Sequence, residues 1–496
     1  MGISKSKYVL YRQCPKALWL KVYRPELDVM NAQKEQIFIN GREVGDLAMG
    51  LFGDYTDMTA YTPDGKLDLG TMIAKTKECL DKNVDVICEA SFSFDSNYCA
   101  VDILMKEKEG YAIYEVKSST DGDKGVYIQD VAYQKWLLTK CGVNVTGTYL
   151  VCVNSQYVLE DKLDIQEYFT INDISEGVAK EIVRVENDVK SINHLLQDKC
   201  EPEKRLDVCC HQPYDCAFWK YCSRELPKPS VFDLYRMPFS KKIEYYNEGK
   251  LSFDDLNVSA LSDKQQTQVQ CTLKSNSVID KQGIRDFLST LSYPLYFLDF
   301  ETEQPARPKY RGTKPYQQIP FQYSLHIIEY DGGPLIHKEF LGDSITDPRR
   351  ALAEQLCKDI PMNVCVLAYN KAFECSRLKE MAAAFPNLSI HLLNIMDNIK
   401  DLLDPFRSGC YYLPEMGGSF SIKVVLPALF PDDPELDYHN LPGDVHNGGE
   451  AMTIYPKIAK MTVAEQTRAR YSLLEYCKLD TYAMVKLWEK LIQVSV

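Results

Sequence analysis

Five of the chain's seventeen cysteines, Cys200, Cys209, Cys210, Cys216 and Cys222, lie within 23 residues, where an even spread over 496 would place about one. Seventeen is odd, and the first residues carry Lys5 and Lys7 without the apolar stretch of a secretion signal. A disulfide framework is therefore not expected, and a bound metal is. Cys210, Cys216 and Cys222 are spaced C-x5-C-x5-C, and Cys14 stands far upstream in Gln13-Cys14-Pro15. Three late thiolates and one early one make four. Structural zinc favours paired C-x2-C knuckles, which this spacing lacks, whereas a [4Fe-4S] cluster needs four thiolates and accepts wider gaps. The expectation is an iron-sulfur cluster on Cys14, Cys210, Cys216 and Cys222, with Cys209 an alternative to Cys210 and buried free thiols the plainer explanation. Such a clasp closes a loop of about 200 residues, so it ties the first part of the chain into one body.

At roughly 150 residues per domain, the length predicts about three domains. A composition of 45% hydrophobic and 26% charged residues is that of a soluble globular protein and excludes collagen, coiled coil and wholesale disorder. No apolar run approaches the roughly 18 residues of a membrane helix, so a cytoplasmic location and no membrane partner are expected. Punctuation divides the chain into 1–222, 223–291 and 292–496. The first part alternates strand-like runs (84–94, 98–106, 111–117) with a helix near 128–139 and a strand at 146–153. The second, with Pro227 and Pro229, reads as a small helical connector. The third opens on a buried strand at 296–300, continues through 321–330 and 364–369, and ends in a helix over about 463–492. The predicted fold class is two α/β bodies joined by a connector.

Asp102 lies in one predicted strand and Glu115 and Lys117 in the next, where alternation puts Glu115 and Lys117 on one face and a hairpin can bring Asp102 opposite them. Two carboxylates on neighbouring strands suit a divalent metal, and a lysine beside them suits orienting or deprotonating a water. Glu89 lies on the preceding strand, and Gln129-Asp130-Val131-Ala132-Tyr133-Gln134 follows on the helix. Glu89, Gln129 and Gln134 therefore join the candidates. A solvated charged face is the competing explanation for any one of these residues.

In the last part Asp299 and Glu301 share a face of an apolar, aromatic strand. Glu374, in Asn370-Lys371-Ala372-Phe373-Glu374, sits at the expected start of a helix, and Tyr476 and Asp480 lie four apart on one helical face. Four acids and a tyrosine are enough for two-metal phosphoryl transfer, with Mg²⁺ or Mn²⁺ held by Asp299, Glu301, Glu374 and Asp480 and a water oriented by Tyr476. Asp397, Asp401 and Asp404, at i, i+4 and i+7, read as the solvated face of one helix. After the metal strand, Tyr310-Arg311-Gly312-Thr313-Lys314-Pro315-Tyr316 interleaves rings and cations. Tyr310, Arg311, Lys314 and Tyr316 are thus candidates for stacking bases beside a phosphate backbone. The formal charge of -13 argues against non-specific adhesion to nucleic acid, although metal-binding carboxylates contribute to it.

Gly41-Arg42-Glu43-Val44-Gly45, Glu89, Asp102, Glu115-Val116-Lys117 and Gln129 to Tyr133 together resemble the RecB-like branch of the PD-(D/E)xK nucleases, whose fold is restriction-endonuclease-like. The resemblance implies Mg²⁺ or Mn²⁺ on Asp102 and Glu115, a catalytic Lys117, and a helical glutamine that is Gln129 or, in a shifted alignment, Gln134. The first motif lacks the histidine many such enzymes carry, and Glu43, Asp46 or Glu89 is left to replace it. The cysteines resemble those of iron-sulfur RecB-like nucleases, the CRISPR-adaptation exonuclease family and AddB among them, whose late triad usually runs C-x2-C-x5-C. Asp299, Glu301, Glu374, Tyr476 and Asp480 resemble the DnaQ-like (DEDD) 3′-to-5′ exonucleases of the RNase H-like fold, with Glu374 where Asp is usual. Over nearly its whole length the chain resembles a bacterial family that fuses an iron-sulfur RecB-like nuclease to a DnaQ-like exonuclease. That implies a metal-dependent exonuclease in DNA repair, recombination or defence against foreign DNA, with DNA expected before RNA. A nucleic-acid-binding protein with decayed sites and an RNA-processing exonuclease are the alternatives.

Overall fold

The computed structural model describes residues 2–29, 32–122 and 125–496, and the chain divides into two compact units. The first comprises Met1–Glu225 and Pro305–Tyr316, the second Leu226–Gln304 and Gln317–Val496. Both are mixed α/β. No helix among the described residues is long and apolar enough to cross a membrane.

In the first unit, helices α1 (Lys5–Gln13), α2 (Pro15–Tyr23), α3 (Ala32–Ala48) and α4 (Leu69–Asp81) accompany a six-stranded sheet. Its strands, β1 (Thr56–Asp57), β2 (Val86–Phe94), β3 (Asn97–Lys106), β4 (Tyr111–Lys117), β5 (Val145–Val153) and β6 (Phe169–Asp173), lie in sequence order. β2, β3 and β4 form an antiparallel meander, while β4 and β5 run parallel. A parallel pair needs a crossover, supplied here by α5 (Gly125–Lys140). Helices α6 (Ile165–Tyr168), α7 (Ser175–Gln197) and α8 (Trp219–Cys222) complete the unit. The sheet is covered on both faces. Ile87, Leu104, Ile113 and Leu150 pack with α5 and α7, and their neighbours Val86, Ile103, Ala112 and Val151 pack with Val44 of α3 and with Ala306. Strands buried on both sides are apolar nearly throughout, so the few charged residues on them stand out.

The second unit begins with α9 (Phe239–Asn247), α10 (Asp263–Lys274), β7 (Val278–Ile279) and α11 (Lys281–Leu288), followed by β8 (Leu295–Glu303), β9 (Ile319–Ile328) and β10 (Leu335–Leu341). Next come α12 (Pro348–Asp359), β11 (Cys365–Ala368), α13 (Ala372–Ala384), α14 (Ser389–Asp397), β12 (Ile399–Asp401), α15 (Asp404–Arg407) and β13 (Tyr411–Tyr412). Helices α16 (Ile422–Leu429), α17 (Gly448–Ile454) and α18 (Val463–Ser495) end it. Its five-stranded sheet has the order β10-β9-β8-β11-β12, antiparallel on one side of β8 and parallel on the other. Tyr296, Leu298 and Phe300 of central β8 pack with Leu352, Leu378 and Leu392, while Leu295 and Phe297 pack with Leu473 and Leu487 of α18. Alternation therefore turns the next residues on that second face, Asp299 and Glu301, toward α18.

Residues 226–291, expected to be a connector, belong to this second unit: Cys271 and Ile284 are buried in the same core as Phe297, and β7 pairs with β13. Residues 305–316 belong to the first. There the Gly312 amide donates to the Leu159 carbonyl at 2.7 Å, the Leu159 amide to the Thr313 carbonyl at 2.9 Å, and the Tyr168 hydroxyl to the Ala306 carbonyl at 3.0 Å.

Candidate metal sites and cysteine cluster

Glu89, Asp102 and Glu115 stand in a row across β2, β3 and β4, where the ladder opens. Glu89 has φ +54°, a left-handed conformation that costs a residue with a Cβ about 1–2 kcal/mol. The Val116 amide donates to Asp102 Oδ2 at 2.7 Å. Glu115 is 1% exposed, and Lys117 donates to its Oε1 at 2.6 Å and to Asp130 Oδ2 of α5 at 2.7 Å. Gln134, one turn after Asp130, donates to Glu115 Oε2 at 2.7 Å, and its own Oε1 is buried without a hydrogen-bond partner. Gln134 is thus the helical glutamine that meets Glu115. Gln129 is half-buried on the same helix and makes no hydrogen bond to these carboxylates among the described residues. The Tyr133 hydroxyl donates to the Ile3 carbonyl at 2.7 Å, so this tyrosine anchors the start of the chain.

Lys5, which no motif singles out, enters from α1 to lie 3.0 Å from Glu115 Oε1 and 3.3 Å from Asp102 Oδ1. Burial and the Asp102 charge push the Glu89 carboxyl up to about 7; burial and the Glu115 charge lift Asp102 to about 6. Burial works the same way on Glu115, but the ammonium groups of Lys117 and Lys5 outweigh it and hold this carboxyl far below the usual range. Burial opposes the charge on Lys117, and Asp130 and Glu115 more than restore it, so Lys117 stands as an ammonium beside the carboxylates. Of the three acids left to replace the missing histidine, Glu43 and Asp46 are exposed on α3, and Glu89 feels the charge of Asp102.

The cysteines gather beyond the other end of α1. Gln13 donates to the carbonyls of Cys209 and Tyr214 at 2.9 and 2.7 Å. Cys209, Cys216 and Cys222 pack around buried Cys14 and Phe218, and Cys210 faces Cys216, Cys14 and Cys222. Five thiols, Cys209 included, therefore surround one place. No three of these sulfurs converge within 4.8 Å of one another among the described residues. From the same loop Tyr214 reaches Tyr127, whose ring lies 5.3 Å from Lys117 Nζ.

In the second unit, Asp299, Glu301 and Cys477 of α18 bring ligand atoms within 4.8 Å of one another, at a bulge between Glu301 and Thr302. Asp480 and Glu374 act on both Asp299 and Glu301. Gly448 sits against Glu301 Oε2 and Tyr476 Oη, where an added Cβ would lie at 3.7 and 3.9 Å. Lys423 Nζ, from α16, lies 2.9 Å from Tyr476 Oη and 3.7 Å from Asp480 Oδ1, and Tyr438 donates to Asp480 Oδ1 at 2.6 Å. Burial and then Asp480 raise Asp299 well above the carboxylate range and Glu301 to about 8, while burial alone is the main cause lifting Glu374 to about 8. Glu374 is 2% exposed, and its Oε2 has no hydrogen-bond partner. The carboxylate oxygens of this set suit a divalent cation, which would offset the mutual repulsion that, with burial, lifts Asp299 and Glu301. A cleft of about 860 Å³, lined in part by Lys423, Tyr438, His446, Asn447 and Glu450, adjoins these groups.

One expectation is corrected. Asp397, Asp401 and Asp404 do not share a helix: Asp397 ends α14, and Asp404 starts α15. Asp401 is buried on β12, accepting from the amides of Asn370 at 2.8 Å and Leu403 at 3.1 Å. The segment Tyr310 to Tyr316 is a packed strap of the first unit. Tyr316 donates to the Ser118 carbonyl at 2.5 Å, half-buried Tyr310 accepts from Thr313, and exposed Arg311 lies 3.6 Å from Glu160 and 3.5 Å from Asp161. Lys314 is exposed on the same strap. Lys5, Asp130, Lys423, Tyr438 and Cys477 escaped the sequence reading because no spacing rule marks them, although Asp130 and Cys477 lie inside motifs that were read.

A family described as "Domain of unknown function (DUF2779)" matches residues 296–421. "Uncharacterized protein UU173" of Ureaplasma parvum serovar 3 is 26% identical over 378 residues, 68% of this chain. The chain spans about half that protein's length, 51%. Among solved structures, one titled "Crystal structure of SSO0001" aligns with 46% of this chain and 87% of its own, at 14% identity and a TM-score of 0.23.

Proposed function

We propose that the protein is a metal-dependent nuclease of the cytoplasm, with a RecB-like first unit and an RNase H-like, DnaQ-like second unit, acting on DNA ends with Mg²⁺ or Mn²⁺. The observation that carries this reading is the second site. Glu301, Glu374 and Asp480 are buried and Asp299 is half-buried, Asp480 and Glu374 act on both Asp299 and Glu301, Lys423 acts on Asp299, Glu301 and Asp480, and one Glu374 oxygen is unpartnered. Divalent ions bound there would stabilise the attacking and leaving oxygens of a phosphodiester. Tyr476, held by Lys423, is set to orient the attacking water. In the first unit Asp102 and Glu115 would hold the ion, Lys117 and Gln134 would orient groups beside it, and the cysteines would carry a [4Fe-4S] cluster that fixes α1 and the Tyr214 loop. A second reading, in which only the second site cuts and the first grips the strand, is favoured by the ammonium groups of Lys5 and Lys117 already paired with the first set of acids.

The test is an end-labelled assay with single- and double-stranded DNA and with RNA, with and without Mn²⁺, on the parent protein, Lys117→Ala and Asp299→Ala. Each substitution is expected to remove one class of product. Activity that survives both, or none in the parent with any substrate, overturns the proposal. If only Asp299→Ala matters, the second reading holds.

A further inference from the structure

We infer that Lys5 is a displaceable counter-ion that occupies the cation place of the first site and that an incoming divalent ion must evict. The inference rests on the reading of Asp102 and Glu115 as ion ligands. Lys5 Nζ lies 3.0 and 3.2 Å from the two oxygens of Glu115 and 3.3 Å from Asp102 Oδ1, so one cationic centre already bridges the two carboxylates. This placement is built into the fold. Residue 3 is fixed from two sides, its carbonyl accepting from the Tyr98 amide at 2.9 Å and the Tyr133 hydroxyl at 2.7 Å. Ser4 caps α1 through the Lys7 amide at 3.4 Å. At the far end Arg12 pairs with Glu181 and Asp188 of α7, and Gln13 bonds the cysteine loop. A nine-residue helix held at both ends leaves only the side chain of Lys5 to move.

The consequence is competition. Without an ion, Lys5 offsets the repulsion between Asp102 and Glu115 and keeps β3 and β4 assembled at their open end. An ion that takes the same oxygens must release Lys5 to solvent, where its side chain is already 27% exposed. Two cations that exclude one another weaken each other reciprocally, by about 5–150-fold for coupling of ordinary size.

The experiment measures Mn²⁺ binding by electron paramagnetic resonance on the full chain. Asp299→Asn and Glu301→Gln silence the second site in a common background, to which Lys5→Ala, Lys5→Met, Lys5→Arg or Asp102→Asn is added. Lys5→Ala and Lys5→Met are expected to bind Mn²⁺ about tenfold more tightly or better, Lys5→Arg as weakly as the background, and Asp102→Asn not at all. Lys5→Met keeps the length of the side chain, so the test survives if Lys5→Ala does not fold. Equal affinity with and without the Lys5 ammonium overturns the inference while leaving Asp102 and Glu115 as ligands. Loss of binding in every variant, the background included, overturns the ligand reading itself and the inference with it.

Discussion

Single residues in both sites are held against their own preference, and that makes them measurable. Asp299 is half-buried against Asp480, Glu301 and Glu374, which force it to take up a proton in the ion-free fold, so an amide in its place avoids that cost even as it removes a ligand. Asp299→Asn is expected to stabilise the ion-free protein by about 1–2 kcal/mol, a rise of about 2–4 °C per kcal/mol in a melt run with EDTA. The same variant loses most of the stabilisation that Mn²⁺ gives the parent, and a lower melting temperature in EDTA would contradict the repulsive cluster. Glu89 carries strain of a different kind, in its backbone. Glu89→Gly frees the left-handed conformation and, after glycine's own entropy, is expected to gain roughly 0.5–1 kcal/mol in urea unfolding while slowing cleavage at the first site. Asn370, also left-handed at φ +64°, shows the cheaper solution, since asparagine tolerates that region and its amide is taken up by Asp401.

Elements explain which of these groups meet, and how much of that could be read in advance. Alternation on β4 and β8 carried Glu115 with Lys117 and Asp299 with Glu301 to common faces, and the i, i+4 rule carried Tyr476 and Asp480, because these are short-range rules that the strand or helix enforces. Lys5, Lys423 and Tyr438 arrive from elements far along the chain, and only tertiary packing joins them to the acids. Gln129 and Gln134 differ by five residues, well over one turn, so only the facing of α5 against β4 could choose Gln134. Burial was equally hidden for His326 on β9, which sits against His337 of β10 at 4.6 Å, near Lys478, and against Thr481 of α18 at 2.8 Å. Burial first, then His337 and Lys478, depress its pKa to about 3, so it stays neutral in the folded state. Above pH 6.5 it costs nothing. As pH falls from there toward 3, the unfolded chain takes a proton that the folded one refuses, and stability drops by about 1.4 kcal/mol per unit. Subtracting the urea stability curve of His326→Gln from that of the parent between pH 7 and 4.5 is expected to recover this slope. A flat difference would sink the assignment.

At the scale of the whole molecule, the cysteine cluster and the second site should be separable, because they lie in different compact units. Cys216→Ala is expected to lose iron and the brown absorbance near 400 nm and to render residues 1–225 protease-sensitive, with cleavage by the Asp299 site retained. A colourless parent protein that contains zinc would reject the iron-sulfur expectation. The partition into units was legible only as far as a linear division allows. The boundary expected near 222 falls close to Glu225, but twelve residues from within the later sequence complete the earlier sheet's packing, seating Ala306 and the Tyr316 ring among its side chains. The backbone thus passes from one unit to the other three times, after Glu225, Gln304 and Tyr316. Scissors applied once, at any single peptide bond, cannot yield both halves whole: a gene fragment ending at 225 would leave a raw apolar seam, and its counterpart would carry an orphaned patch made to fit it.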